Sequence, residues 1–291
     1  MKTKQFALLF LALAILALFS CACSSGPGQA PAALDMKATL DGYLAKLPDG
    51  WDLITATALN DELASAKPFL LDVREPQEIA GSGYIDGAVN ISIRILAKNL
   101  DKLPAQNQAI VVICGSGHRS AMGMMTLQLL GYTNVKSLAG GFAAWEAAKL
   151  PFVKGTPAAP VAGKAPPVDQ QLLAALDAYL SALPDGWNLI TAGSLDNELA
   201  AGKPFQLDVR ETQEYAGSGH IDGAVNIPIR TLVKTLDRLP QDKTSAVIAE
   251  CGSGHRSAMA LMALNLLGYK NVKSLGGGLA AWQKANLPLG K

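Results

Sequence analysis

The chain has 291 residues, with 25 Lys and Arg against 24 Asp and Glu and a formal net charge of +1. With only 17% charged residues it offers neither a basic stripe for nucleic acid nor an acidic solvating tail, so nucleic-acid binding is excluded as a leading function. The length suits two ordinary domains, each large enough to bury its own core.

In chain order, Lys2 and Lys4 form a short basic region ahead of an uncharged apolar run over 6–19. That run falls short of the ~20 apolar residues a membrane-spanning helix needs and reads as an export signal over 1–20. The following Leu18-Phe19-Ser20-Cys21 resembles a bacterial lipobox, which makes Cys21 the expected lipidation site and new N-terminus. Phe19 is bulky for that position and Cys23 offers a competing frame. The alternative is a soluble secreted protein whose two early cysteines pair locally. Residues 21–33 are rich in Ser, Gly, Pro and Ala and read as a tether. The expected location is the bacterial cell envelope, lipid-anchored, on the periplasmic face if the host has two membranes.

An amphipathic stretch over 34–47 predicts a helix packing on its own domain, with contact between domains as the alternative. Short apolar runs at 51–55, 68–73, 88–93, 110–113 and 135–138 then alternate with helix-like segments. This alternation predicts βαβ units and a parallel sheet, an α/β domain. Residues 152–168, rich in Pro, Ala and Gly, predict a linker, after which the whole unit repeats. Leu-Pro-Asp-Gly-Trp occurs at 47–51 and 183–187, Leu-Asp-Val-Arg-Glu at 71–75 and 207–211, and Ile-Asp-Gly-Ala-Val-Asn-Ile at 85–91 and 221–227. The expected domains are 34–151 and 169–291.

The chemistry is concentrated in Cys-Gly-Ser-Gly-His-Arg-Ser, present at 114–120 and 251–257, each time after a predicted strand and before a predicted helix. In a parallel sheet, ligands bind beyond the carboxyl ends of strands, at helix N-termini. Small residues there let backbone N–H groups and the helix dipole face the sulfur, a setting that favours a thiolate and an anionic group on sulfur. Cys21 and Cys23 belong to the processing region, which leaves one cysteine per domain at equivalent positions, too far apart to bridge. With three histidines and no paired Cys/His spacing, neither a metal nor a cofactor is expected.

These motifs, with Gly140-Gly141-Phe142-x-x-Trp145 and Gly277-Gly278-Leu279-x-x-Trp282, occur in one order in both copies, and each copy resembles the rhodanese family of sulfurtransferases over nearly its whole length. The resemblance implies tandem rhodanese-like domains in which Cys114 and Cys251 cycle between thiolate and persulfide. It implies that Gly115, Ser116, Gly117, His118 and Arg119, with Gly252, Ser253, Gly254, His255 and Arg256, hold the sulfur or an anionic donor. Thiosulfate, polysulfide and 3-mercaptopyruvate stand as donors, and a thiol, cyanide or a thioredoxin-like protein as acceptor. The permanent charge of Arg119 and Arg256 suits an anion. His118 and His255 tune the thiolate or donate to substrate, or else face solvent without a catalytic duty. Asp72, Arg74 and Glu78, like Asp208, Arg210 and Glu214, read as supporting residues in which each arginine pairs with the glutamate to fix the loop. The tryptophans 51, 145, 187 and 282 read as core, as do Met122 and Met259.

Two competing functions remain in view. A cysteine-dependent phosphatase or arsenate reductase needs five residues between cysteine and arginine, where Gly-Ser-Gly-His supplies four, so its loop is too tight for phosphate. A persulfide carrier or redox-partner module would load sulfur yet turn over little on small molecules.

Overall fold

Ile110–Ile113 is a run of β-branched residues buried along its whole length, the pattern of a central parallel strand covered on both faces. The computed structural model describes residues 33–202 and 204–290. The predicted export signal, Cys21 and nearly all of the tether fall outside the described residues. No helix among the described residues is long and apolar enough to cross a membrane.

The first half runs α1 (Met36–Leu44), β1 (Leu53–Ile54), α2 (Ala56–Ser65), β2 (Phe69–Asp72), α3 (Pro76–Ser82), β3 (Val89–Asn90), a 3₁₀ segment (Ile93–Lys102), β4 (Ile110–Ile113), α4 (His118–Leu129), β5 (Val135–Leu138) and α5 (Gly141–Ala147). The second half repeats this as α6 (Gln170–Ser181), β6 (Leu189–Ile190), α7 (Ala192–Ala201), β7 (Phe205–Asp208), α8 (Thr212–Ser218), β8 (Val225–Asn226), a 3₁₀ segment (Ile229–Arg238), β9 (Val247–Glu250), α9 (His255–Leu266), β10 (Val272–Leu275) and α10 (Gly278–Lys284). Each half carries a five-stranded sheet, in the orders β1-β5-β4-β2-β3 and β6-β10-β9-β7-β8. Every strand pair is parallel, so helices must cross over the faces. These are two tandem α/β domains, each a parallel sheet flanked by helices.

Each sheet has an outer core of its own. In the first half Ile54, Leu59, Val111, Ile113, Leu138, Phe142 and Trp145 pack together; in the second Ile190, Leu195, Ile248, Leu275, Leu279 and Trp282 do so. The inner faces share a single core that runs through both halves. Its centre is the contact of α4 with α9, and the first ten residues of each helix are buried. A helix apolar all round must be covered all round, and here the sheet covers one side and the other half covers the rest.

The N-terminal helix of each half crosses to the other half. α1 lies against the 3₁₀ segment Ile229–Arg238, and α6 against the 3₁₀ segment Ile93–Lys102. Leu40 and Leu44 of α1 and Leu172, Leu176 and Leu180 of α6 are buried in the shared core, each worth roughly 1.5–3 kcal/mol. The expectation that this helix packs on its own domain is therefore corrected. The amphipathic pattern was right about an apolar face, but periodicity carries no information about which surface receives it.

Candidate active site

β4 and β9 end at Ile113 and Glu250, immediately before Cys114 and Cys251, and α4 and α9 begin four residues after each cysteine, at His118 and His255. The turn between them requires glycine. Gly117 has φ +96° and a Cβ there would stand 3.2 Å from the Gly140 nitrogen. Gly141, at φ +60°, lies so close to the loop that a Cβ would overlap the Cys114 carbonyl oxygen. This close approach lets Phe142 N donate to Cys114 O at 2.7 Å and Ala143 N to Gly115 O at 3.0 Å. The second half repeats it, with Leu279 N donating to Cys251 O at 2.8 Å and Ala280 N to Gly252 O at 3.0 Å.

The sulfur of Cys114 accepts from Gly117 N at 3.1 Å and lies 3.5 Å from Ser120 Oγ, which is 2.8 Å from Ser137 Oγ. Cys251 accepts from Gly254 N at 3.2 Å and lies 3.6 Å from Ser257 Oγ, itself 2.8 Å from Ser274 Oγ. A backbone N–H at a helix N-terminus thus faces each sulfur, an arrangement that stabilises negative charge there. Both cysteines are free thiols, 0% and 1% exposed. Gly115 and Gly252 are half-buried and Ser116 and Ser253 exposed, so the tip of each loop reaches the surface while its sulfur does not.

The arginines differ from the sequence expectation. Arg119 donates to both oxygens of Glu78, at 2.5 and 2.6 Å, and Arg256 donates likewise to Glu214, at 2.5 and 2.7 Å. Burial pushes Glu78 up, but the hydrogen bond and charge of Arg119 outweigh it and hold the carboxyl below the ordinary range. The Arg256 hydrogen bond does the same for Glu214. Arg74 pairs instead with Asp72, at 2.6 Å, and donates to Ser82 Oγ and Gly83 O while lying on the Phe142 ring. Arg210 pairs with Asp208 and reaches only the backbone carbonyl of Glu214. The Asp72–Arg74 pair is fully buried, where removal of one partner costs ~3–5 kcal/mol. The Arg119–Glu78 pair is open to water on the glutamate side and chiefly fixes direction.

His118 is buried rather than solvent-facing. Its Nε2 lies 3.0 Å from the Trp187 carbonyl oxygen, which can only accept, so the ring carries its proton there. Burial, together with the charge of Arg119, outweighs this bond and lowers His118 to about 4. His255 matches it, with Nε2 3.0 Å from Trp51 O and a value lowered to about 4. Both imidazoles are neutral near pH 7, and neither Nδ1 has a partner among the described residues. Trp145 and Trp282 are core, and so are Met122 and Met259. Trp51 and Trp187 are half-buried and lie against the other half's loop instead. Ser120, Ser137 and their equivalents were not singled out from sequence, although the duplicated Val-Lys-Ser-Leu at 135–138 and 272–275 carried the signal.

No cluster of His, Cys, Asp and Glu suited to a metal occurs among the described residues. The rhodanese-like domain model matches this chain at residues 55–148 and 191–285. Over 193 residues the chain is 30% identical to the Mycobacterium tuberculosis protein named "Probable adenylyltransferase/sulfurtransferase MoeZ", an alignment covering 63% of this chain and 47% of that one. The chain thus spans about half the length of that relative. It is 26% identical to the Escherichia coli 3-mercaptopyruvate sulfurtransferase over 240 residues, 72% of this chain and 83% of the other. It is 34% identical to a sulfurtransferase of Allochromatium vinosum over 103 residues, 35% of this chain and 94% of the relative.

Proposed function

The chain belongs to the rhodanese-like domain family through both of its halves, and from that premise we propose that it is a sulfurtransferase with a sulfur-accepting cysteine, Cys114 and Cys251, in each half. The observation that carries this reading is the geometry of the two loops, in which each sulfur accepts from a helix-terminal N–H and only four residues separate the cysteine from the loop arginine. The Cys114 thiolate attacks the transferable sulfur of an anionic donor, the sulfane sulfur of thiosulfate or a polysulfide or the thiol sulfur of 3-mercaptopyruvate. A new S–S bond forms, and the bond from that sulfur to the rest of the donor breaks. Sulfite leaves from thiosulfate, a shortened polysulfide from a polysulfide and the enolate of pyruvate from 3-mercaptopyruvate, each taking the bonding pair. The persulfide is then attacked at its outer sulfur by cyanide or a thiol, and the cysteine leaves as thiolate. The Gly117 and Gly254 amides, fixed in advance, hold the negative charge in both steps.

Replacing both cysteines by serine tests this directly. Turnover of thiosulfate with cyanide is expected to vanish, and its survival would rule out the proposed route.

The burial of both sulfurs supports a second reading, a persulfide carrier that delivers sulfur only to a protein partner such as a thioredoxin-like acceptor. That reading expects stoichiometric loading with negligible turnover on cyanide. For location, the lipobox at 18–21 supports an exported protein anchored through lipid on Cys21 in a bacterial cell envelope. Metabolic labelling with a radioactive fatty acid, lost in Cys21→Ser, tests it.

A further inference from the structure

The pentapeptide Leu-Pro-Asp-Gly-Trp leads into the first strand of its own half, where Gly50 O and Gly186 O accept from Leu53 N and Leu189 N. It also reaches the opposite half, in both directions. Arg94 of the first half donates to Leu183 O at 3.1 and 3.2 Å, pairs with Asp185 at 3.0 Å and lies 4.1 Å from the centre of the Trp187 ring. Arg119 lies on that same ring at 4.4 Å, and Trp187 O takes the only hydrogen bond of the His118 ring among the described residues. Reciprocally, Arg230 donates to Leu47 O at 3.0 Å, pairs with Asp49 at 2.9 Å and lies 4.2 Å from the Trp51 ring. Arg256 lies 4.5 Å from the Trp51 ring, and Trp51 O is the partner of His255.

The turns are held in an unfavourable backbone shape. Trp51 and Asp52 have φ of 60° and 52°, and Trp187 and Asn188 have 56° and 53°. Two consecutive non-glycine residues in the left-handed region, one of them tryptophan, cost on the order of 1–3 kcal/mol each and persist only where surrounding contacts enforce them. Asp52 O and Asn188 O accept from Ser137 N and Ser274 N of their own half, whereas Trp51 and Trp187 are held by the other half's histidine and arginines.

The layers stack in order. Arg119 lies against the cysteine loop, since a Cβ on Gly115 would meet its Nη2 at 3.4 Å, and the Trp187 ring covers Arg119 from outside. His118 and His255 are also near enough that charge on His118 disfavours charge on His255.

We propose that Trp51 and Trp187 are positioning residues acting across the halves. The turn at 183–187 governs access to Cys114, and the turn at 47–51 governs access to Cys251. Each turn fixes the histidine and the arginine that close the opposite loop, and it swings away when sulfur enters or leaves. This rests on the reading of both cysteines as sulfur acceptors, but its test does not.

The test is the rate of alkylation by iodoacetamide at each cysteine, read by peptide mass spectrometry on the intact chain and requiring no sulfur donor. Trp187→Ala is expected to accelerate Cys114 on the order of tenfold, the sum of two lost arginine–ring contacts, and to leave Cys251 unchanged. Trp51→Ala is expected to do the reverse. Acceleration at the cysteine of the same half, or at neither, overturns the proposal. Should Trp187→Ala accelerate both, Trp187→Phe decides. Acceleration confined to Cys114 sustains the crossed control, and equal or absent acceleration overturns it. Crossed alkylation without sulfur uptake from any donor would leave this proposal standing and remove the sulfurtransferase reading.

Discussion

Replacing Glu250 by isoleucine should stabilise the second half, and by more at pH 7 than at pH 5. Glu250 ends β9 immediately before Cys251 and is fully buried, with neither carboxyl oxygen hydrogen-bonded among the described residues. Its counterpart in the first half, Ile113, packs with Leu138, Phe142 and Trp145. Burial, reinforced by the charge of Asp208 and opposed by that of Arg210, raises Glu250 well above the ordinary carboxylate range. A carboxyl whose folded value lies above its unfolded value of about 4.3 binds more protons when folded, so stability is full below that value and is lost as pH rises towards the folded one. The loss reaches at most ~1.4 kcal/mol per pH unit across that window. The neutral form still leaves buried polar atoms unpaired, a further cost of ~1–3 kcal/mol. Urea unfolding followed by tryptophan fluorescence at pH 5, 6 and 7 provides the assay. Glu250→Gln should flatten the pH slope while keeping most of the polar cost, and Glu250→Ile should remove both. A parent and an isoleucine variant with the same midpoint at every pH would refute the argument.

Gly141→Ala should reduce folded yield sharply and lower the unfolding midpoint, by on the order of 3 kcal/mol or more, because its Cβ overlaps the Cys114 carbonyl at a positive φ. Thermal unfolding measures it, and a near-neutral result would contradict the packing described. Ser120→Ala leaves Ser137 Oγ buried beside an apolar methyl and should cost about 1–3 kcal/mol while slowing sulfur loading at Cys114 and not at Cys251. Donor pulse and peptide mass spectrometry separate the two sites. His118 and His255, lowered to about 4, should show no imidazole titration between pH 5.5 and 8 by NMR, and the pH profile of sulfur loading should carry no inflection from either. An imidazole midpoint near 6.5 at either residue would contradict the burial that sets these values.

The regular architecture was legible in the sequence because it depends on local pattern. The runs at 110–113 and 135–138 match β4 and β5, and the heptapeptide follows a strand and runs into a helix that begins at His118, after its glycines. The sequence-based pairing of Arg74 with Glu78 was not correct. The residues are close in sequence, but Asp72 already holds Arg74 at the end of β2, and Glu78 at the start of α3 faces Arg119 from a segment far along the chain. The role of Trp51 and Trp187 was illegible for a similar reason. A duplicated pentapeptide shows that a unit repeats, but nothing local indicates that each copy reaches into the other half. The burial of His118 follows from the same crossing, since its partner carbonyl lies at Trp187.

Sulfur uptake by both cysteines is read from the intact and peptide mass of the chain lacking residues 1–23, before and after thiosulfate, polysulfide or 3-mercaptopyruvate and then after cyanide. Cys114 and Cys251 are each expected to gain one sulfur, reversed by cyanide with release of thiocyanate. No sulfur gain at either cysteine with any of the three donors would contradict it.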